Sequence, residues 1–500
     1  MTDIIIDDET VSVDEKKNLL QAVNETGRHF IPHFCFHPTL KVSGSCRMCL
    51  VEIGSIVKDP SGAESIRMVP KLQPACNTAV REGLIVRNEK SDKVREFRKS
   101  LIELYLTNHP LDCPVCDKSG ECTLQDYAYE YGAGKTRYTF PKRRAQKKKI
   151  SEKIIREQNR CIHCGRCQQY FETYTGDTPY FRTNRGGKME FDIFPGHEWS
   201  GNYQGNTIDL CPVGALTAVD FRFKRRVWFL DRKEYLCLGC ANGCNIHIHT
   251  DSKRPVDGIM RVTPRRNDKI NGFFMCDEGR FSHPKTAAPL KRLTTPLIRG
   301  SETTFDAALA ECDRVLNAHA PERIAALVSA YASVEDLVAM KNDLTERGIK
   351  DIDYRITDAQ ISGNTDTGDA FLLSVDRHPN SLGAVEAECR GSVTARDMAS
   401  RLGTTYAAAV IVTDPIVDAD EALINALLAK ASDLIVFAAH ESRLTHAAAA
   451  ALPIAAFGEI EGTFINRTGI PQFVTRAVTP AHEAPQIKDL VHRMERRLAF

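Results

Sequence analysis

The chain has 500 residues, with 66 Lys+Arg against 65 Asp+Glu and a formal net charge of +1. That length suits about three or four domains, and the even charge offers no global field to draw the molecule to nucleic acid or anionic lipid. A hydrophobic share of 42% with 26% charged residues excludes disorder as the overall state.

The first residues, Met1 to Asp8, lack a basic stretch followed by an apolar run, so no secretory signal is expected there. The longest weakly polar stretch, Ala447 to Gly458, is mostly alanine and is broken by Pro453. It falls short of the roughly 18 apolar residues of a membrane span. Ile4 and Ile6, then Val11 and Val13, predict two short strands around the turn-prone Asp7-Asp8-Glu9, followed by a helix from Lys16 to Val23 that ends near Gly27. Val51-Glu52-Ile53 and Leu84-Ile85-Val86 have strand character. Between Ser91 and Leu106, apolar residues at Val94, Phe97, Leu101 and Leu104 or Tyr105 are spaced for a helix. The basic run from Pro141 to Lys149 has no interleaved aromatics, and predicts a linker or a contact with an acidic partner rather than a nucleic-acid patch.

Past about Pro289 the texture changes. Strands are predicted over 323–328, 353–356, 408–412 and 434–438, with helices over 334–345 and 420–431. This alternation argues for a parallel, Rossmann-like sheet. The stretch from Gly363 to Cys389 reads as irregular.

Seventeen cysteines are the anomaly, and fifteen of them lie at or before Cys276. Without an export signal a reducing compartment is expected, where clustered thiols point to metal rather than to disulfides. Cys35, Cys46, Cys49 and Cys76 form C-x10-C-x2-C-x26-C. Plant-type ferredoxins bind a 2Fe–2S cluster through a similar pattern with a shorter first spacing, and a four-cysteine zinc site is the alternative. His109, Cys113, Cys116 and Cys122 form H-x3-C-x2-C-x5-C, open to a cluster or to zinc with three thiols and one imidazole. His109 enters this set because fifteen cysteines and one histidine make four sets of four.

Cys161, Cys164 and Cys167, with Cys211 before Pro212, match the bacterial ferredoxin run with its last member displaced, which points to a 4Fe–4S cluster. Cys237, Cys240, Cys244 and Cys276 give C-x2-C-x3-C-x31-C and suit 4Fe–4S better than zinc, since three ligands arrive within eight residues. Cys312 and Cys389 have no companions and read as buried, unreactive thiols. No strand is followed by G-x-G-x-x-G and no P-loop is present, so hydride and nucleotide chemistry have no visible seat.

Ser45-Cys46-Arg47-Met48-Cys49, His109-Pro110-Leu111-Asp112-Cys113-Pro114-Val115-Cys116, Arg160-Cys161-Ile162-His163-Cys164-Gly165-Arg166-Cys167 and Asp209-Leu210-Cys211-Pro212-Val213-Gly214-Ala215-Leu216 occur in that order. Together they resemble the large iron–sulfur subunit of respiratory complex I, the G subunit of bacterial NADH–quinone oxidoreductases. The resemblance implies a 2Fe–2S cluster on the first set, a His-ligated 4Fe–4S cluster on the second and Cys-ligated 4Fe–4S clusters on the third and fourth. It also implies electron entry from a flavin-bearing NADH-oxidising subunit and exit to peripheral-arm subunits nearer the quinone, in the order first, third, second set. The fourth centre would lie off that path. The setting would be the cytoplasmic face of a bacterial inner membrane, reached only through partner subunits.

Residues 231–280 resemble the small iron–sulfur domain of molybdopterin oxidoreductases, and Glu461-Gly462-Thr463-Phe464-Ile465-Asn466 with Gln472 resemble a later segment of them. The remainder is too short for a full molybdopterin domain and has no recognisable molybdenum-ligand motif, so molybdopterin is not expected. The fold class implied is multidomain α+β. A β-grasp 2Fe–2S ferredoxin-like domain would span 1–95, a His-ligated segment 96–140 and a 4Fe–4S ferredoxin-like domain 141–228. A molybdopterin-oxidoreductase-type 4Fe–4S domain would span 229–285 and a shortened α/β domain 286–500. An electron-relay subunit of an NAD-linked formate dehydrogenase or hydrogenase would share the front half, and a zinc-stabilised scaffold is the non-enzymatic alternative.

Overall fold

The computed structural model describes residues 1–498 apart from 59, 61, 177–178, 198, 254–257, 287–290, 364–367, 370, 392 and 481. It divides into two compact units, Met1–Trp228 and Phe229–Phe500. Among the described residues no helix is long and apolar enough to cross a membrane. The change of texture expected near Pro289 lies outside the described residues.

The first unit opens with a mixed sheet. Its strands run in the order Glu9–Val13, Thr2–Ile6, Ile85–Arg87, Leu50–Lys58 and Glu64–Met68, with Gln73–Pro74 beside the start of Leu50–Lys58. Thr2–Ile6 and Ile85–Arg87 pair in parallel and the other pairings are antiparallel. Period-two alternation turns Ile4, Ile6, Val11 and Val13 inward, each at most 4% exposed, onto the helix Leu19–Asn24. That helix starts later than Lys16 because the Asn18 side chain accepts the Gln21 N–H and caps it there. The carboxylate of Asp7 gathers the backbone N–H groups of Asn88, Glu89 and Lys90, which ties the first turn to the loop after Ile85–Arg87.

Ser91 caps the helix Asp92–Leu106 by accepting the Val94 N–H. Its buried face is Val94, Arg98, Ile102 and Glu103, with the expected Leu101 packed on a core; of the expected Leu104 or Tyr105, Tyr105 packs on that core and Leu104 is 56% exposed. Two charged residues join that face because Arg98 is drawn inward by Asn88 and Glu89, and Glu103 by Arg137. The basic run is not a free linker. Lys142 donates to the carbonyls of Leu106 and Thr107, the Arg143 N–H donates to Asn108, and Lys148–Lys149 adds a strand beside Ile154–Arg156.

The second unit begins with an antiparallel sheet in which Asn245–Thr250 lies between Asp231–Leu236 and Ile259–Pro264. Its larger sheet has seven strands, ordered Ser301–Glu302, Leu297–Ile298, Ala450–Pro453, Asp433–Ala438, Ala408–Val412, Ile324–Leu327 and Asp351–Asp353. The last five are parallel. Alternate residues feed two cores, with Ala408, Val410, Ile435 and Phe437 on one face and Ala409, Ile411, Leu434 and Val436 on the other. A parallel sheet buried on both faces reads as a continuous apolar run, which is why these strands are visible from sequence. Val334–Glu346 and Glu421–Lys430 fall where the spacing puts helices, capped by Ser333 and Asp420. Two expectations shift. The strand expected over 353–356 lies at Asp351–Asp353, and the stretch read as irregular contains the helix Ser381–Glu386.

Phe437, 2% exposed in a central strand, sits in the core, whereas Phe473 is 65% exposed. Phe437→Ala is expected to destabilise the second unit by about 3–5 kcal/mol, and Phe473→Ala by at most about 0.5 kcal/mol. Denaturant midpoints of the two variants measure the contrast, and equal midpoints contradict this packing.

Candidate metal centres

All seventeen cysteines are free thiols. Charge interactions show the cysteines within each of the four sets to be near one another, whereas the charged groups acting on His109 are Asp112, Arg160 and Lys142 rather than its expected partner cysteines.

In the first set Cys35, Cys46, Cys49 and Cys76 are at most 4% exposed. The loop carrying Cys46 and Cys49 turns through a left-handed Arg47 (φ 61°), and the Phe34 N–H points at the Cys46 sulfur at 3.5 Å. Cys46 hydrogen-bonds toward Cys35 and lowers that thiol to about 5, and Cys49 lowers Cys76 in the same way. The Cys35 charge in turn acts on both Cys49 and Cys76, so the four thiols share one electrostatic site.

In the second set Cys113 and Cys116 are joined by a tight turn, with the Cys116 N–H on the Cys113 carbonyl at 3.1 Å. Cys122 precedes the helix Thr123–Tyr131, and the N–H groups of Gln125 and Leu124 oppose the burial that raises its thiol to about 11. Cys113 acts on Cys116, and Cys116 on Cys122. His109 is partly buried, and burial first, then the cations Arg160 and Lys142, lower its imidazole to about 4 against the opposing pull of Asp112. It is therefore neutral at pH 7, the form that ligates metal.

In the third set Cys211 acts on Cys161, Cys164 and Cys167, and Cys164 acts on Cys161 and Cys167. The left-handed His163 (φ 57°) turns its N–H onto the Cys161 sulfur at 3.4 Å. Cys167 lies in the helix Arg166–Tyr170 and Cys211 closes the helix Asn206–Leu210. In the fourth set Cys237, Cys240, Cys244 and Cys276 are 5–6% exposed, and the other three act on Cys237. Asn242 donates its side-chain N–H to the Cys244 sulfur at 3.0 Å, and the Gly279 N–H donates to Cys276 at 3.3 Å. A Cβ at Gly279 would lie 2.7 Å from the Cys237 sulfur, so only glycine fits.

Among the described residues, no three His, Cys, Asp or Glu side chains are positioned around a single metal ion. The sets are instead defined by mutual proximity, burial and N–H donors aimed at sulfur. Burial raises the thiols Cys161, Cys167, Cys237 and Cys276 above their ordinary value. Thiolates so placed need a cationic centre to hold their charge, and soft sulfur with N–H donors suits iron–sulfur clusters. Cys312 and Cys389, both 0% exposed, lie in the sheet core away from these sets.

Three of the sets meet in one apolar core within the first unit. Cys35, Cys46 and Cys122 are part of it, with Cys161, Cys164 and Cys211 packed against it. Arg166, between Cys164 and Cys167, donates to the carbonyl of Phe36 beside Cys35 and to Leu210 beside Cys211. On the other side, Gly214 abuts the second set: a Cβ there would sit 2.2 Å from the Cys116 sulfur and 3.4 Å from Cδ of Arg160. Sequence spacing alone misses Arg160, Gly279 and Asn242 as parts of these sites. Gly214 stands inside a recognisable motif, but nothing local announces that its neighbour is Cys116.

Comparison with known proteins bears on the domains that carry these sets. Residues 1–91 match the family model described as a 2Fe–2S iron–sulfur cluster binding domain. Residues 98–137 match the NADH-ubiquinone oxidoreductase-G iron–sulfur binding region, and 151–217 the ferredoxin-like domain of NADH-quinone oxidoreductase subunit 3. The chain is thus an iron–sulfur protein with 2Fe–2S and 4Fe–4S ferredoxin-like domains and mixed α/β content.

It is 33% identical over 370 residues to the mitochondrial NADH-ubiquinone oxidoreductase 78 kDa subunit of Candida albicans, covering 72% of this chain and 48% of that one. It is 34% identical over 369 residues to the G subunit of the NADH-quinone oxidoreductase of Rickettsia bellii, covering 72% of this chain and 51% of that one. A chain of an NAD+-reducing [NiFe]-hydrogenase in the H2-reduced state is 25% identical, over 45% of this chain and 91% of that chain, with a TM-score of 0.38. The chain is thus similar to the G subunits of NADH–quinone oxidoreductases and shares three of their domain models. It spans about half the length of the curated relatives it matches.

Gly214→Ala is expected to force the Cys116 loop apart and cost about 1–3 kcal/mol. Gly187→Ala, with no heavy atom within 4 Å of the added Cβ, is expected to change stability by at most about 0.5 kcal/mol. Thermal unfolding of the first unit reads the difference, and a silent Gly214→Ala contradicts the close approach to Cys116.

Proposed function

We propose that this chain is the electron-relay subunit of an NADH–quinone oxidoreductase. It would hold a 2Fe–2S cluster on Cys35, Cys46, Cys49 and Cys76. It would hold 4Fe–4S clusters on His109, Cys113, Cys116 and Cys122, on Cys161, Cys164, Cys167 and Cys211, and on Cys237, Cys240, Cys244 and Cys276. When bound, such clusters supply one-electron transfer. Electrons would enter from a flavin-bearing NADH-oxidising subunit and leave to peripheral-arm subunits nearer the quinone. The chain would meet the cytoplasmic face of the inner membrane only through those partners.

The observation that carries the reading is the shared apolar core in which the first three sets meet. What the chain's own residues do there is hold, orient and keep dry. The N–H groups of Phe34 and His163 stabilise charge on the Cys46 and Cys161 sulfurs. The phenol of Tyr105 lies within electrostatic reach of Cys46, Cys35 and Cys164, and donates to the Cys46 carbonyl at 2.9 Å. It fills the space between the first and third sets. Gly214 leaves the Cys211 loop close against Cys116, between the third and second. These two approaches support the order first, third, second set.

The finer layout belongs to the same proposal: a β-grasp domain over 1–95, the His-ligated segment over 96–140 and the ferredoxin-like domain over 141–228. The molybdopterin-oxidoreductase-type cluster domain would span 229–285, with a cofactor-free α/β domain over 286–500. The parallel Thr2–Ile6 and Ile85–Arg87 pairing, with the helix Leu19–Asn24 across the sheet, supports the first assignment. The two-sided parallel sheet supports the last.

Metal analysis of the purified chain is expected to return about 14 irons with equal sulfide and reducible EPR signals; four zincs and no iron overturn the proposal. His109→Cys is expected to keep its cluster with an altered potential, because thiolate brings more negative charge than imidazole. An unchanged spectrum and potential would show His109 not to be a ligand. Co-purification with quinone-module and membrane-arm subunits is expected, and recovery with a hydrogenase or formate dehydrogenase alone overturns the assignment to this complex.

A further inference from the structure

Arg160 is 3% exposed, and a guanidinium so buried is held only by strong partners. Its Nε lies 3.2 Å from both oxygens of Asp112, its Nη2 donates to the same carboxylate, and its Nη1 reaches the Gly214 carbonyl at 3.5 Å. Asp112 immediately precedes Cys113, and Arg160 immediately precedes Cys161. One ion pair therefore clamps the loop of the second set to the loop of the third. The stem of Arg160 and the Cys116 sulfur press on Gly214 together, and the Arg160 charge acts on both Cys116 and His109.

At the first set, by contrast, the charges that act on Cys49 and Cys76 come from other thiols. The second set has further cations near it. Arg226 donates to the Cys116 carbonyl at 2.6 Å, and Lys118, 9% exposed, donates to Ile208. Arg160 differs from both in tying Asp112 beside Cys113 to its own position beside Cys161.

We infer that Arg160 is a positioning residue which locks the second and third ligand loops together and raises the reduction potential of the centre on His109, Cys113, Cys116 and Cys122. The inference rests on the cluster reading above. Reduction adds one negative charge to a centre in a dry core, and a fixed cation beside it stabilises that added charge. Asp112 moderates the effect, so its removal and the removal of Arg160 act in opposite directions.

The test is a redox titration of the full chain, purified with its clusters and followed by low-temperature EPR. Arg160→Met is expected to move the second-set midpoint to a more negative potential, with a smaller shift of the same sign at the third set and none at the first. Arg160→Lys, which restores the charge, is expected to return the midpoint toward the unsubstituted value. Asp112→Asn is expected to move it to a more positive potential. Unchanged midpoints in Arg160→Met with all clusters retained overturn the inference, as do equal shifts in the Met and Lys variants, which mark a purely structural role. Should Arg160→Met lose the second cluster, Asp112→Asn decides: a positive shift supports the inference and no shift overturns it. Iron-free wild-type protein instead overturns the cluster reading, and this inference with it.

Discussion

Sulfur charge in a water-poor interior is the constraint around which this chain is arranged. A thiolate taken from water loses solvation, and several in one place also repel one another. The chain meets that cost locally, by turning the backbone N–H groups of Phe34 and the left-handed His163 toward sulfur and by placing Cys122 at a helix start. The remainder falls to a cationic core, which is why burial alone pushes most of these thiols up. Cysteine spacing, loop handedness and apolar packing thus answer one electrostatic requirement.

The two units meet different demands with different architectures. The first has little regular structure around its second and third sets, and stability there comes from cross-loop ties such as Arg160 to Asp112 and Arg166 to Phe36. The second carries a broad parallel sheet with apolar residues on both faces, which needs no such ties. Its two remaining cysteines follow the same logic as any small apolar residue. Cys312 packs on the sheet, and the Cys389 thiol lies 3.8 Å from the Leu337 carbonyl.

What can be read from sequence follows from whether the cause is local. Cysteine spacings are local, and so the grouping of the thiols can be proposed from them. Ala408–Val412 and Val334–Glu346 are local too, one by its apolar run and the other by its cap and period. Spacing finds Val94, Leu101 and Tyr105 on the face of Asp92–Leu106 but not Arg98 and Glu103, which are buried by partners at Asn88, Glu89 and Arg137 that no helical period reveals. Gly279 against Cys237 and Arg160 against Asp112 join segments 42 and 48 residues apart, beyond the reach of any motif. His109 enters on a count of ligands, and its charged neighbours, Asp112, Arg160 and Lys142, can be known only from the fold.

The core shared by the first three sets has a consequence for how the molecule is made. Its walls come from Phe34 at one end of the unit and Val213 and Ala215 at the other. A ribosome must therefore have released the chain beyond Ala215 before that chamber can close. Closure of that shared core is then a late event in folding, completed on a nearly finished unit rather than on emerging segments. Until then the cysteines that line it, among them Cys35, Cys46 and Cys122, stay open to oxidation.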